Sequence, residues 1–125
     1  MRFILRFSYV VVLFLASAAA GQNIQHFGLS KSIPAAGSDI VSPGQLQLWF
    51  TQGPQEGSVT IRLVDPNGEL VRTGEPVRSA EDSKLMEVEV PSVLDAGSYT
   101  VMWRGIGDDG HVVRDEFEFG VMPEI

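Results

Sequence analysis

Two runs of alternating residues, parted by a short glycine-rich break, constrain this chain more than any other feature. In the first, Tyr99, Val101 and Trp103 alternate with Thr100, Met102 and Arg104. In the second, Phe117, Phe119 and Val121 alternate with outward-facing Glu116 and Glu118. A period of two sends successive side chains to opposite faces, so each run predicts a strand with one buried and one wet face. Residues 105–111 between them read Gly-Ile-Gly-Asp-Asp-Gly-His, which combines glycine freedom, two adjacent carboxylates and one of the chain's two histidines. A loop held by two packed strands is a candidate mount for a metal ion.

The same period recurs upstream. Leu46, Leu48 and Phe50 alternate with Gln45, Gln47 and Trp49, which leaves Trp49 on the face away from the leucines. Val59, Ile61 and Leu63 form another run, and so do Met86, Val88 and Val90, which ends at Pro91. Asp65-Pro66-Asn67-Gly68 is a strong turn signal, because proline presets φ and Asn-Gly tolerates positive φ, so Leu70 and Val71 restart a strand in hairpin fashion. The stretch from His26 to the turn residues Pro34 and Gly37 reads as an edge strand, and residues 73–83 read as polar and irregular. About seven short strands with no amphipathic helix after the N-terminal segment predict an all-β chain: an immunoglobulin-like antiparallel β-sandwich with Greek-key connections. Asp95-Ala96-Gly97-Ser98-Tyr99 has the form of a tyrosine corner, in which the phenol bonds back across the corner.

The N-terminus stands apart from that domain. Arg2 and Arg6 precede an apolar run that ends in Ser17-Ala18-Ala19-Ala20, the layout of a secretory signal peptide. We expect residues 1–20 to be that signal and residues 21–125 to form the sandwich domain. Removing Arg2 and Arg6 leaves 7 basic against 16 acidic residues, so the net charge moves from −7 to 7 − 16 = −9. Such a chain repels nucleic acid and anionic membrane surfaces. There is no cysteine. An exported domain without cysteine has no disulfide framework, rests on its apolar core, and has no thiolate for a metal.

His111 is the residue around which chemistry can be argued. Asp109 lies two positions away, and in an extended segment such side chains share a face, so a carboxylate oxygen and an imidazole nitrogen can converge on one ion. The other imidazole is His26, on an edge strand free to lie beside the loop. Two histidines and an aspartate form a nitrogen–oxygen set suited to Cu(II) or Zn(II) rather than Ca(II). The alternative is an ordinary acidic turn with a surface histidine. Met86, Met102 and Met122 fall on different strands and read as core filling or surface residues rather than a thioether site. No nucleophile motif and no phosphate-binding loop is present, so the expectation is a binding protein rather than an enzyme.

These residues together resemble the CopC-type periplasmic copper-binding (copper-resistance) domain. Its opening pattern is matched by His26, Leu29, Ser32, Pro34 and Gly37, and its next strand end by Leu48-Trp49-Phe50-Thr51. Its C-terminal half is matched by Leu94, Gly97, Tyr99, Val101, Trp103 and Arg104, then by Asp109-Gly110-His111 and by Phe117, Phe119 and Val121. The resemblance implies a periplasmic β-sandwich that buffers or carries Cu(II), with His26, Asp109 and His111 as its metal ligands. It implies copper as the bound ion, a monomer, and an inner-membrane copper transporter or another envelope protein as partner. The family's histidine usually opens the mature chain, whereas residues 21–25 precede His26 here. Val112 stands where proline is usual, and Asp115 where glycine is usual. A sandwich that kept the fold without the metal, as an interaction module of the cell envelope, is the rival reading.

Overall fold

The computed structural model describes residues 26–124. The expected signal peptide lies outside the described residues. Nine strands follow in order: β1 (Leu29–Ile33), β2 (Asp39–Ile40), β3 (Gln45–Phe50), β4 (Thr60–Val64), β5 (Leu70–Val71), β6 (Val77–Arg78), β7 (Leu85–Glu89), β8 (Gly97–Ile106) and β9 (Val112–Val121). They form two sheets, one in the order β1-β3-β7-β6 and one in the order β2-β9-β8-β4-β5. That arrangement reproduces the A-B-E-D and G-F-C orders of an immunoglobulin-like sandwich, so the predicted fold class holds.

Strand number and strand ends differ from expectation for identifiable reasons. β2 and β6 are two residues each, too short to show any alternation, and β6 lies within the stretch read as irregular. β2 pairs in parallel with the end of β9, Asp39 opposite Gly120 and Ile40 opposite Val121, so the second sheet is not antiparallel throughout. The hairpin of β8 and β9 is longer than the alternation suggested. Its register runs unbroken from Gly97 opposite Val121 to Ile106 opposite Val112. Residues 114–116 hide that continuity, because there the strand runs past the core and Arg114, Asp115 and Glu116 are all exposed.

The inward faces meet as the alternation predicts. Leu46, Leu48 and Phe50 from one sheet pack against Ile61, Leu63, Val101, Trp103 and Phe119 from the other. Each such side chain contributes about 1.5–3 kcal/mol by leaving water. The tyrosine corner is formed: the Tyr99 hydroxyl donates to the Asp95 carbonyl over 2.8 Å. Burial, reinforced by the nearby Asp95 charge, pushes that phenol's pKa up. Trp49 is half-buried on the outer face, with the Lys31 ammonium 4.6 Å from its ring centre. At one end of the sandwich the core finishes in an aromatic group. Phe27 stacks on Phe50 at 5.1 Å, and Trp103 meets Phe50 edge-on at 5.2 Å. The candidate site sits on that end.

Candidate metal site

Residues 107–111 join β8 to β9 in a tight reversal. The Gly110 amide donates to the Gly107 carbonyl over 3.1 Å, and Gly110 then takes a φ of 80°, a conformation that disfavours any side chain. That backward step returns His111 onto Asp109. Asp109 grips it twice: Oδ1 accepts the His111 backbone N–H at 3.0 Å, and Oδ2 lies 2.9 Å from His111 Nδ1. The backbone bond first and the imidazole contact second hold the Asp109 carboxyl below the usual carboxylate range, with a smaller contribution from the charge of His26. Both side chains face solvent, 83% exposed for His111 and 55% for Asp109, so neither needs uncovering to meet an ion.

The spacing of this pair fits a chelate. Two donor atoms each about 2.0 Å from one ion, and 2.9 Å from each other, subtend about 90° at that ion. That is the angle between neighbouring corners of a square, the arrangement Cu(II) prefers with nitrogen and oxygen donors.

His26 reaches the same end by a different route. The ring of Phe27 is buried across two glycines of the loop strand. A β-carbon at Gly105 would lie 2.8 Å from Phe27 Cζ, and one at Gly107 would lie 2.6 Å from Phe27 Cβ. Only glycine permits that approach, and it ties the residue after His26 to the base of the loop. The His26 side chain is exposed and lies within electrostatic reach of Asp109. It does not complete a cluster: among the described residues no three His, Asp or Glu side chains converge closely enough to hold one ion. Of the three residues singled out by the sequence, the structure brings Asp109 and His111 together and leaves His26 adjacent.

The segment after β3 holds both halves in place, a role not foreseen from its residues. Thr51 Oγ1 donates to the His26 carbonyl over 2.9 Å and accepts the Gly28 N–H over 3.1 Å, while the Thr51 N–H donates to the Gly28 carbonyl. Gln52 Oε1 accepts the Asp108 N–H over 2.8 Å. Gln55 donates twice, from its backbone N–H to the Ile106 carbonyl and from Nε2 to the Gly107 carbonyl at 3.0 Å. The amide-rich composition of residues 52–55 was the available signal, but composition does not say which loop an amide will meet.

A sandwich that ends in a solvent-facing carboxylate–imidazole pair on a braced hairpin is a small β-domain with a nitrogen and an oxygen donor side by side. The chain belongs to the CopC domain family, whose model matches residues 29–122. Asp109 and His111 fall within the match, and His26 lies just before it. Copper resistance protein C of Pseudomonas syringae pv. tomato is 29% identical over 117 residues, which cover 89% of this chain and 93% of that protein. Copper transport protein CutJ of Bacillus subtilis (strain 168) is 26% identical over 114 residues, 90% of this chain but 21% of that longer protein. Among solved structures, the crystal structure of CopC from Methylosinus trichosporium OB3b superposes with a TM-score of 0.72 at 31% identity, covering 80% of this chain and 97% of that one.

Proposed function

We propose that this protein binds Cu(II) at the tip of the β8–β9 hairpin and serves copper resistance or homeostasis by holding the ion, without turnover, in the periplasm. The observation that carries the reading is the 2.9 Å spacing of Asp109 Oδ2 and His111 Nδ1 in a family whose relatives are named for copper resistance and copper transport. Asp109 and His111 are the primary ligands. His26 is the third, recruited by rotation of a side chain already anchored through Phe27, and water completes the square. Because only neutral imidazole ligates, acidification weakens the binding as protons compete with the ion for the histidines.

Export follows from the expected signal peptide. The receiving partner is an inner-membrane copper transporter or another envelope protein. In its support, a segment similar to this chain makes up about a fifth of the longer copper transport protein of Bacillus subtilis. The protein acts as a monomer on this reading. The observation favouring the metal-free interaction module is the lack of a three-donor cluster among the described residues.

The test is the intact mass of the exported protein, followed by Cu(II) titration of the same sample against a competing chelator. One equivalent bound by the chain, and lost in His111→Ala, is the expected result. Absence of stoichiometric binding, or binding indifferent to His111→Ala, contradicts the reading and leaves the interaction module. A chain that begins at His26 adds its α-amine as a further nitrogen donor and binds more tightly than one that begins at Gly21.

A further inference from the structure

The outer face of the second sheet carries a feature the copper site does not use. The pairing of β4, β8 and β9 places Thr60 opposite Arg104 and Arg104 opposite Arg114 in one row, and Arg62, Met102 and Glu116 in the next. These residues line an open groove of about 530 Å³. Three of the seven basic residues that remain after the N-terminal segment are thus gathered on one face of an acidic chain. Like charges directly opposite one another across a strand pair are destabilising. Glu116 shares this face but forms no ion pair within 4.0 Å with either arginine; among the described residues the ion pair within that distance is Asp109 with His111. The three guanidinium groups make no hydrogen bond among the described residues, and Arg104 Nε is buried without a partner. A buried donor left unpaired carries a desolvation cost.

We infer that this groove docks an acidic segment of a partner protein, whose carboxylates engage Arg104, Arg114 and Arg62. Charge complementarity sets the sign of the partner. Arg–carboxylate pairs are short, directional and frequently bidentate, which suits two guanidinium groups lying side by side. Met102, 44% exposed, offers an apolar floor between the arginines, and methionine and arginine are both enriched at protein interfaces. The groove is open, unlike the enclosing pockets that bury most of a small ligand, so an extended polypeptide fills it better than a free acid. Asp115 and Glu116 also line this groove, but its three arginines outnumber them, whereas the chain as a whole carries an excess of acids, so this face attracts an acidic partner more than the average surface does. Arg114 lies three residues along β9 from His111, about 10 Å of strand, so the docked partner is held beside the hairpin tip. The inference stands on the groove alone and does not require the copper reading.

The test uses the 15N-labelled exported chain, copper-free and at low salt, with a synthetic dodecapeptide of alternating glutamate and leucine as probe. A matched glutamine–leucine peptide and free citrate are the other two arms. Saturable shifts confined to Thr60, Arg62, Met102, Arg104 and Arg114 with the glutamate peptide are expected, weakened about tenfold in the doubly substituted Arg104→Gln, Arg114→Gln protein. The glutamine peptide and citrate are expected to give no saturable shift at the same concentrations. Shifts elsewhere, equal affinity in the substituted protein, or citrate binding as tightly as the peptide would each overturn the inference. If the double variant does not fold, Met102→Glu at an exposed position supplies the same loss of attraction. Cu(II) titration of these variants, unchanged from the parent, separates failure of the groove from failure of the metal site.

Discussion

The two halves of the proposed copper site are held by opposite means. Asp109 and His111 are two residues apart and are brought together by a local reversal at Gly110, with their bonds confined to the loop. His26 depends on contacts with distant parts of the chain: Phe27 lying across Gly105 and Gly107, and Thr51 bonded to the His26 carbonyl. The local half is preformed and exposed. The distant half is only as good as the packing beneath it. A binding site built this way can keep one half intact while the other drifts.

Removing the packing tests that difference most severely. Phe27→Ala empties a buried ring site, with an expected cost of about 3–5 kcal/mol in denaturant unfolding. It frees His26 while leaving the Asp109–His111 contact in place, so residual copper binding should resemble that of His26→Ala. Next in size, His111→Ala removes half of the chelate, and Cu(II) affinity in chelator competition should fall by more than about a hundredfold, the upper range for loss of an outer-shell partner of a metal ligand, so that stoichiometric binding is lost. His26→Ala should cost only about tenfold on the same scale. Gln55→Ala removes one hydrogen bond to the loop, worth about 1 kcal/mol, and should weaken copper binding about fivefold without changing the ligand set.

The smallest effect is that of pH on the metal-free loop. The Asp109 carboxyl is held below its ordinary value by the His111 N–H and imidazole, so its grip is fully present above about pH 3.9 and is lost as pH falls through the lower folded value. An NMR titration should show the Asp109 carboxyl midpoint below about 3.9, and His111→Ala should move it up.

How much of this was legible in the sequence follows the same division. The Asp109–His111 pair was legible from its spacing of two, but not for the reason that spacing suggests: the segment is a turn rather than extended chain, and the positive φ of Gly110 brings the two side chains together. The sandwich could be read because its long strands alternate cleanly, and Tyr99 marked its corner four residues from its acceptor at Asp95. β2 and β6 could not, since two residues carry no period. The seat of Phe27 on Gly105 and Gly107 could not either: alternation says which face a residue takes, but not which strand lies across from it. The arginine row was hidden for a related reason. Arg104 alternates with the core residues of its run, but its meeting with Arg62 and Arg114 depends on the register of β4 with β8 and of β8 with β9, and a slip of one residue would reverse every face.

The central claim is that the hairpin tip supplies a preformed pair of donors and His26 joins it. EPR of the Cu(II)-loaded protein, prepared with ordinary and with 15N-labelled histidine, tests this most directly by counting imidazole nitrogens on the ion. Two histidine couplings are predicted in the parent protein, one in His26→Ala with the signal otherwise retained, and none in the double variant lacking His26 and His111. A spectrum that keeps both couplings in His111→Ala, or that shows no histidine coupling in the parent, would contradict the account.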